Sequence, residues 1–206
     1  MSMRRIFASA ELAGVCIGIG GTVFLSLESK VLGAVFFTVG LFVVCTFGLH
    51  LFTGKVCYLL CQDRDYAFSL PVIWLGNLAG AWLMGLAVRV SRLAPLSEKA
   101  AALSEMKLED GLLSVFLLAV LCNGMIYIGV EGFRTNPHEA GKYLALFFGV
   151  TVFILCGFEH CVANMFYFSA AGAWSLRALG RLTVMTLGNA VGGIGFHTVR
   201  SWLRNS

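Results

Sequence analysis

Residues 157–166, Gly-Phe-Glu-His-Cys-Val-Ala-Asn-Met-Phe, set a carboxylate, an imidazole and an amide inside an apolar run from Tyr143 to Phe168. Ionisable groups at membrane depth are costly, so they tend to face a cavity or pathway. A histidine titrates at about pH 6.5 in water, and His160 at mid-span can exchange a proton with something that passes it. The competing reading is a structural imidazole bonded to a backbone carbonyl where a helix breaks. Asn164 falls one helical turn on, on the same face, where its amide can orient the ring or bond a neighbouring helix. Glu159 projects away from His160 and is expected to cap backbone groups freed by the break.

Three further positions carry chemistry. Asn123 is the strongly polar residue midway along the apolar run 111–130, a candidate pore-lining donor. Thr53 lies in Gly48-Leu49-His50-Leu51-Phe52-Thr53-Gly54-Lys55, where its hydroxyl can bond a substrate, the imidazole or its own loop. No His and Cys show metal-ligand spacing, since His160 and Cys161 are adjacent and project differently from a helix. The seven cysteines lie in or at the ends of apolar segments and read as small reduced core residues. His50 and His197 lack a facing His at like depth, which leaves no haem pair. No cofactor and no metal are expected.

These groups sit in a chain of 206 residues that is 58% hydrophobic and 13% charged, with a mean hydropathy of +0.84. A soluble domain is about one quarter charged, so the composition is that of an integral membrane protein. The length allows roughly six helical spans of about 20 residues in one domain, 1–206, with no room for a separate soluble catalytic domain; an enzyme is not expected. The net charge of +4 is scattered, with no basic cluster for nucleic acid. The N-terminal apolar run continues past Gly21 without a cleavage site and reads as a retained span.

The elements that must position the polar groups follow from charged borders: spans at about Ile6–Leu27, Val31–Cys61, Phe68–Val90, Gly111–Val130, Tyr143–Phe168 and Leu179–Val199, with a polar, helix-prone linker from Ser91 to Asp110. The second is too long for one crossing and carries glycines at its middle. The fifth has Gly157 at the comparable place. Interrupted helices at matching places in two halves point to a transport site. The halves echo again in Gly76-Asn77-Leu78-Ala79-Gly80 and Gly188-Asn189-Ala190-Val191-Gly192, where glycines one turn apart make a close-packing face. With three spans per half, the second half is inverted relative to the first. On periodicity alone Phe37 and Phe153 are packing residues and Lys107 is a solvated surface lysine.

Leu51-Phe52-Thr53-Gly54, Leu121-Cys122-Asn123, Gly157-Phe158-Glu159-His160 with Ala163-Asn164-Met165-Phe166, and Gly188-Asn189-x-x-Gly192-Gly193 together resemble the formate/nitrite transporter family, over all six segments in order. The resemblance implies an all-α membrane fold, aquaporin-like, with broken second and fifth helices. It implies a homopentamer in the cell inner membrane, both termini cytoplasmic, each protomer with its own pore for small monovalent anions. By position His160 is similar to the family's central histidine, Thr53 to its partner, Asn123 to the pore asparagine and Lys107 to the vestibule lysine. Phe37 and Phe153 match the two aromatic constrictions, and Leu41, Leu51 and Phe52 the apolar lining. Two positions depart from the pattern: Lys55 stands where asparagine is common, and Ser169 to Ala171 lacks an expected proline. The short termini lack the N-terminal segment proposed to gate some members.

Three classes follow. The first is a channel or proton-coupled carrier of weak-acid anions such as formate, nitrite or hydrosulfide, its partners being the anion, protons and the bilayer. The others are a neutral-solute pore of the same architecture and a membrane redox protein.

Overall fold

The computed structural model describes residues 1–205, and every regular element among them is helical. Nine α-helices follow in order: α1 Met3–Ser26, α2 Lys30–Thr46, α3 Phe52–Val56, α4 Arg64–Val90, α5 Leu96–Glu109, α6 Leu112–Thr135, α7 Glu139–Leu155, α8 Cys161–Ala171 and α9 Leu176–Asn205. A short 3-10 turn, Leu59–Cys61, links α3 to α4. By length and composition α1, α4 and α6 can each cross a membrane. Phe36, Phe42, Phe68, Phe148 and Trp202 are exposed on the outer surface, which calls for apolar surroundings.

The expected apolar runs all form helices, and the linker at Ser91–Asp110 contains α5. The long second run is interrupted at residues 47–51, and its α-helix ends again at Val56, ahead of the 3-10 turn. Thr53, expected inside the interruption, is instead the second residue of α3. The reason is local: Leu51 is already extended as the N-cap, so helical hydrogen bonding resumes with Lys55 N–H donating to the Leu51 carbonyl.

The two interruptions are built alike. α2 ends with Leu49 N–H bonded to the Val44 carbonyl at 2.9 Å, and α7 ends with Phe158 N–H bonded to the Phe153 carbonyl at 2.9 Å. Each is the six-residue closure of a Schellman end, which requires a left-handed residue just before it. Those residues are Gly48, with φ +65, and Gly157, with φ +70, and only glycine takes that conformation without cost.

Each interruption leaves backbone groups that an asparagine from the facing helix satisfies. Asn77 Oδ1 accepts from Phe52 N–H at 2.8 Å, while its Nδ2 donates to the carbonyls of Ala10 and His50. Asn189 Oδ1 accepts from Cys161 N–H at 2.9 Å, while its Nδ2 donates to the carbonyls of Ala119 and Glu159. The glycines beside them permit this depth. A Cβ on Gly80 would lie 1.9 Å from the Glu11 carbonyl oxygen, and one on Gly192 would lie 2.1 Å from that of Val120. The repeated Gly-Asn-x-x-Gly motif therefore does two jobs, close packing and backbone satisfaction, on α1/α4 and again on α6/α9.

Candidate functional site: a histidine between two cavities

α2 and α7 run side by side in opposite directions. Lys30 Nζ donates to the Leu155 carbonyl at one end, and the Phe42 and Tyr143 rings meet at the other. Midway, Phe37 and Phe153 pack edge to face with centroids 6.0 Å apart. Both rings are almost wholly buried, at 1% and 2% exposure. The Phe153 ring also stacks on the His160 imidazole, 5.6 Å centroid to centroid.

His160 is the N-cap of α8, and its ring serves that role directly: Nδ1 accepts from Ala163 N–H at 3.0 Å. A backbone N–H can only donate, so Nδ1 is the unprotonated nitrogen and the neutral ring carries its proton on Nε2. That nitrogen faces Thr53 Oγ1 at 2.9 Å. Thr53 thus accepts from the imidazole, and its own hydroxyl hydrogen remains for another acceptor. The pairing joins α3 to α8 across both interruptions. Asn123 lies behind it, donating from Nδ2 to the Thr53 carbonyl at 3.1 Å, with Oδ1 buried and unpartnered among the described residues.

Two cavities flank this layer. One, of about 630 Å³, is lined by Phe153, Glu159, His160, Asn164, Lys107 and Lys30 among others. The other, of about 370 Å³, is lined by Leu41, Leu51, Gly54, Lys55, Tyr58 and Arg134 among others. They sit at opposite ends of α2, separated by Phe37, Leu41 and Phe153.

The structure gathers Phe37, Thr53, Asn123, Phe153 and His160 into one layer, with Leu41 and Leu51 on one side and Lys107, Glu159 and Asn164 on the other. Phe52 is buried, and its backbone N–H is held by Asn77. Three side chains behave differently from expectation. Glu159 does not cap freed backbone groups; its carboxylate receives Lys107 Nζ at 2.9 and 2.7 Å and Asn164 Nδ2 at 2.7 Å. Asn164 accordingly makes no hydrogen bond to the imidazole among the described residues, and its second bond goes to the His160 carbonyl. Lys107 is no solvated lysine, since its side chain is 11% exposed and its charge is met by Glu159. The long sequence separation of Lys107 and Glu159 hides their pairing from any local pattern.

Sequence reasoning also passed over Lys30, Arg134 and Tyr58. Lys30 and Tyr58 lie near span ends, where a polar group is unremarkable, and only the cavities give these residues a shared meaning. In the sequence Lys55 stands out only as a departure from a pattern, without a role.

The chain can be set beside known proteins on this geometry. It is 27% identical to a probable formate transporter of Methanothermobacter thermautotrophicus, with 97% of this chain and 88% of that one covered. It is 28% identical to the nitrite transporter NirC of Salmonella typhimurium, covering 95% of this chain and 81% of that one. A solved pentameric formate channel with formate bound superposes with a TM-score of 0.87 at 25% identity, over 98% of this chain and 97% of that one. The formate/nitrite transporter family model matches residues 1–203, so the paired interruptions and the layer between them are those of a membrane transport protein, and the chain belongs to the formate/nitrite transporter family.

Proposed function

We propose that this protein carries small monovalent weak-acid anions, of the formate, nitrite or hydrosulfide class, through a pore within each protomer. The observation that carries the reading is the buried His160–Thr53 donor pair beside the Phe37 and Phe153 rings, with His160 lining the larger cavity and Leu51 and Gly54, the neighbours of Thr53 in sequence, lining the smaller one. The family and the relatives named for formate and nitrite support the choice of solute. Six crossings serve the transport: α1, α4, α6 and α9 as continuous helices, and α2 with α3 and α7 with α8 as interrupted ones. The matched interruptions and asparagines support an inverted repeat of three plus three. The protein acts as one transmembrane unit in the inner membrane, with both termini cytoplasmic. It assembles as a homopentamer, as the similar formate channel does.

A bare anion entering an apolar constriction loses its hydration at a cost of several kcal/mol. The Thr53 hydroxyl, polarised by the imidazole behind it, supplies a donor at that point. With Nδ1 held by Ala163, the resting ring is a neutral donor. Nδ1 carries the ring's one free lone pair, so a proton taken up there releases the Ala163 cap. Proton coupling is therefore conditional on the anion: the ring takes a proton from water of the larger cavity only while the anion is in the layer, gives a proton to the anion and returns to the neutral form, and the neutral acid crosses the phenyl rings.

The test is uptake by proteoliposomes across formate, nitrite, hydrosulfide, acetate and lactate, with internal pH recorded. Saturable uptake of the small acids with internal acidification is expected. Failure to carry any of them would overturn the reading.

A further inference from the structure

The two cavities hold different charge, although both flank the same layer. Lys30 and Lys107 in the larger one are set against Glu109, Asp110 and Glu159. Lys107 is fully engaged by Glu159, and Lys30 is turned onto the Leu155 carbonyl. That cavity has no surplus of positive charge to offer an anion.

The smaller cavity is lined by Lys55 and Arg134 and by no carboxylate. Lys55 is half-buried on α3, and its ammonium has no hydrogen-bond or carboxylate partner among the described residues. Arg134 lies over the Tyr58 ring, 4.8 Å from its centroid, which holds the guanidinium at the cavity wall. The carboxylate paired with Arg134, Glu131, is claimed from three directions. It binds Arg200, accepts from the Tyr58 hydroxyl at 2.6 Å and lies 3.7 Å from Arg134. Two cationic side chains from α6 and α9 share that one carboxylate, and Lys55 remains uncompensated. A half-buried ammonium without a counter-charge is costly to keep, and a concave, low-dielectric wall concentrates its field on whatever enters. Lys55 is also two residues beyond Thr53, so an anion held there is already beside the next donor on its way.

We propose that the cavity formed by Lys55, Arg134 and Tyr58 is the capture site for small monovalent anions, so that the protein collects its substrate chiefly from this face. The inference rests on the transport reading above and adds the side on which binding occurs. Both ends of the chain lie towards this face: Ser9 bonds His50 beside the α2 interruption, and Arg200 reaches Glu131 and Thr135. With the termini inside, the anion-collecting mouth is cytoplasmic. Capture does not drive net flux by itself; it lowers the concentration needed to fill the pore from that side.

The experiment is formate current through the full-length protein in planar bilayers, with formate presented to one face at a time. An impermeant antibody against a C-terminal tag assigns the Lys55 face. Lys55→Gln and Arg134→Gln should each raise the half-saturating formate concentration on that face by about fivefold, the worth of one surface charge at contact distance. The opposite face should be unchanged, Lys55→Arg should behave like the parent, and high salt should shrink the difference. Equal shifts on both faces, no shift on either, or Lys55→Arg behaving like Lys55→Gln would overturn the proposal. If the parent carries no weak acid at all, the transport reading fails, and crystals of the pentamer soaked in bromide then decide the site alone. An anomalous peak between Lys55 and Arg134 supports it, and a map without that peak overturns it.

Discussion

At the scale of single residues, the site is organised by what each ring nitrogen is allowed to do. Ala163 N–H fixes His160 Nδ1 as an acceptor, and Thr53 takes the Nε2 proton. His160→Asn keeps a good N-cap, because asparagine caps helices well, but one short amide cannot serve both Ala163 and Thr53 and cannot titrate. The variant is expected to fold, with a stability change of about 1 kcal/mol, and to lose the internal acidification that accompanies acid uptake. Proteoliposomes of His160→Asn that acidify with the parental proton-to-acid ratio would refute the proton role. The Lys107–Glu159 pair makes a second prediction. Lys107→Ala leaves a buried carboxylate without its counter-charge and should destabilise by about 3–5 kcal/mol. Adding Glu159→Gln should recover most of that loss, since the neutral amide needs no ammonium and still accepts from Asn164. Thermal unfolding of the two single variants and the double variant measures the coupling. Additive losses would mean that the pair is not a unit.

At the scale of elements, each interruption depends on one glycine and one asparagine. Asn77→Ala would strand Phe52 N–H and two carbonyls, and Asn189→Ala would do the same at Cys161. Each lost buried partner costs about 1–3 kcal/mol, so either variant should lower the unfolding midpoint sharply, while an exposed control such as Arg92→Ala should not. Equal midpoints for all three would show that water replaces the amides. These elements also mark how far the sequence could be read. The interruptions were legible because glycines and polar residues stand out in apolar runs, and the duplicated Gly-Asn-x-x-Gly identified the faces that pack. What the asparagines do there was not legible, because their partners lie on α1, α6 and the interruptions themselves. The position of Thr53 was misread for a related reason: a glycine on each side of 49–53 marks the neighbourhood of a break, while the residue at which hydrogen bonding resumes depends on the extended Leu51. The fates of Lys107 and Glu159 were hidden in the same way, since charge pairing across α5 and the α7–α8 interruption leaves no periodic trace.

At the scale of the whole molecule, two similarly built halves meet at a layer that is not symmetric. The matching N-cap positions are Leu51 before α3 and His160 before α8. One half supplies an apolar side chain and a hydroxyl two residues on, and the other supplies the imidazole. The two rings that meet in the layer come one from each half, Phe37 from α2 and Phe153 from α7, so the proposed transport would place selection by size at the contact between halves. The two rings are not equivalent, however. Phe153 stacks on His160 and lines the larger cavity, whereas Phe37 touches Phe153 edge on. Phe37→Ala should open the gap while the imidazole keeps its stacking partner. Uptake of acetate and lactate should then rise relative to formate, with proton coupling intact. Phe153→Ala should relax size selection as well, but it also frees the His160 ring from one wall, so proton coupling should weaken along with selectivity. Removing a buried phenyl costs about 3–5 kcal/mol where the site cannot collapse, so retention of the assembled protein on size exclusion is the control for both. Proteoliposome uptake ratios for lactate and acetate over formate, measured with internal pH, separate the two outcomes. Unchanged ratios in both variants would place the barrier elsewhere, and identical effects on coupling would mean that the stacking of Phe153 on His160 has no part in positioning the proton.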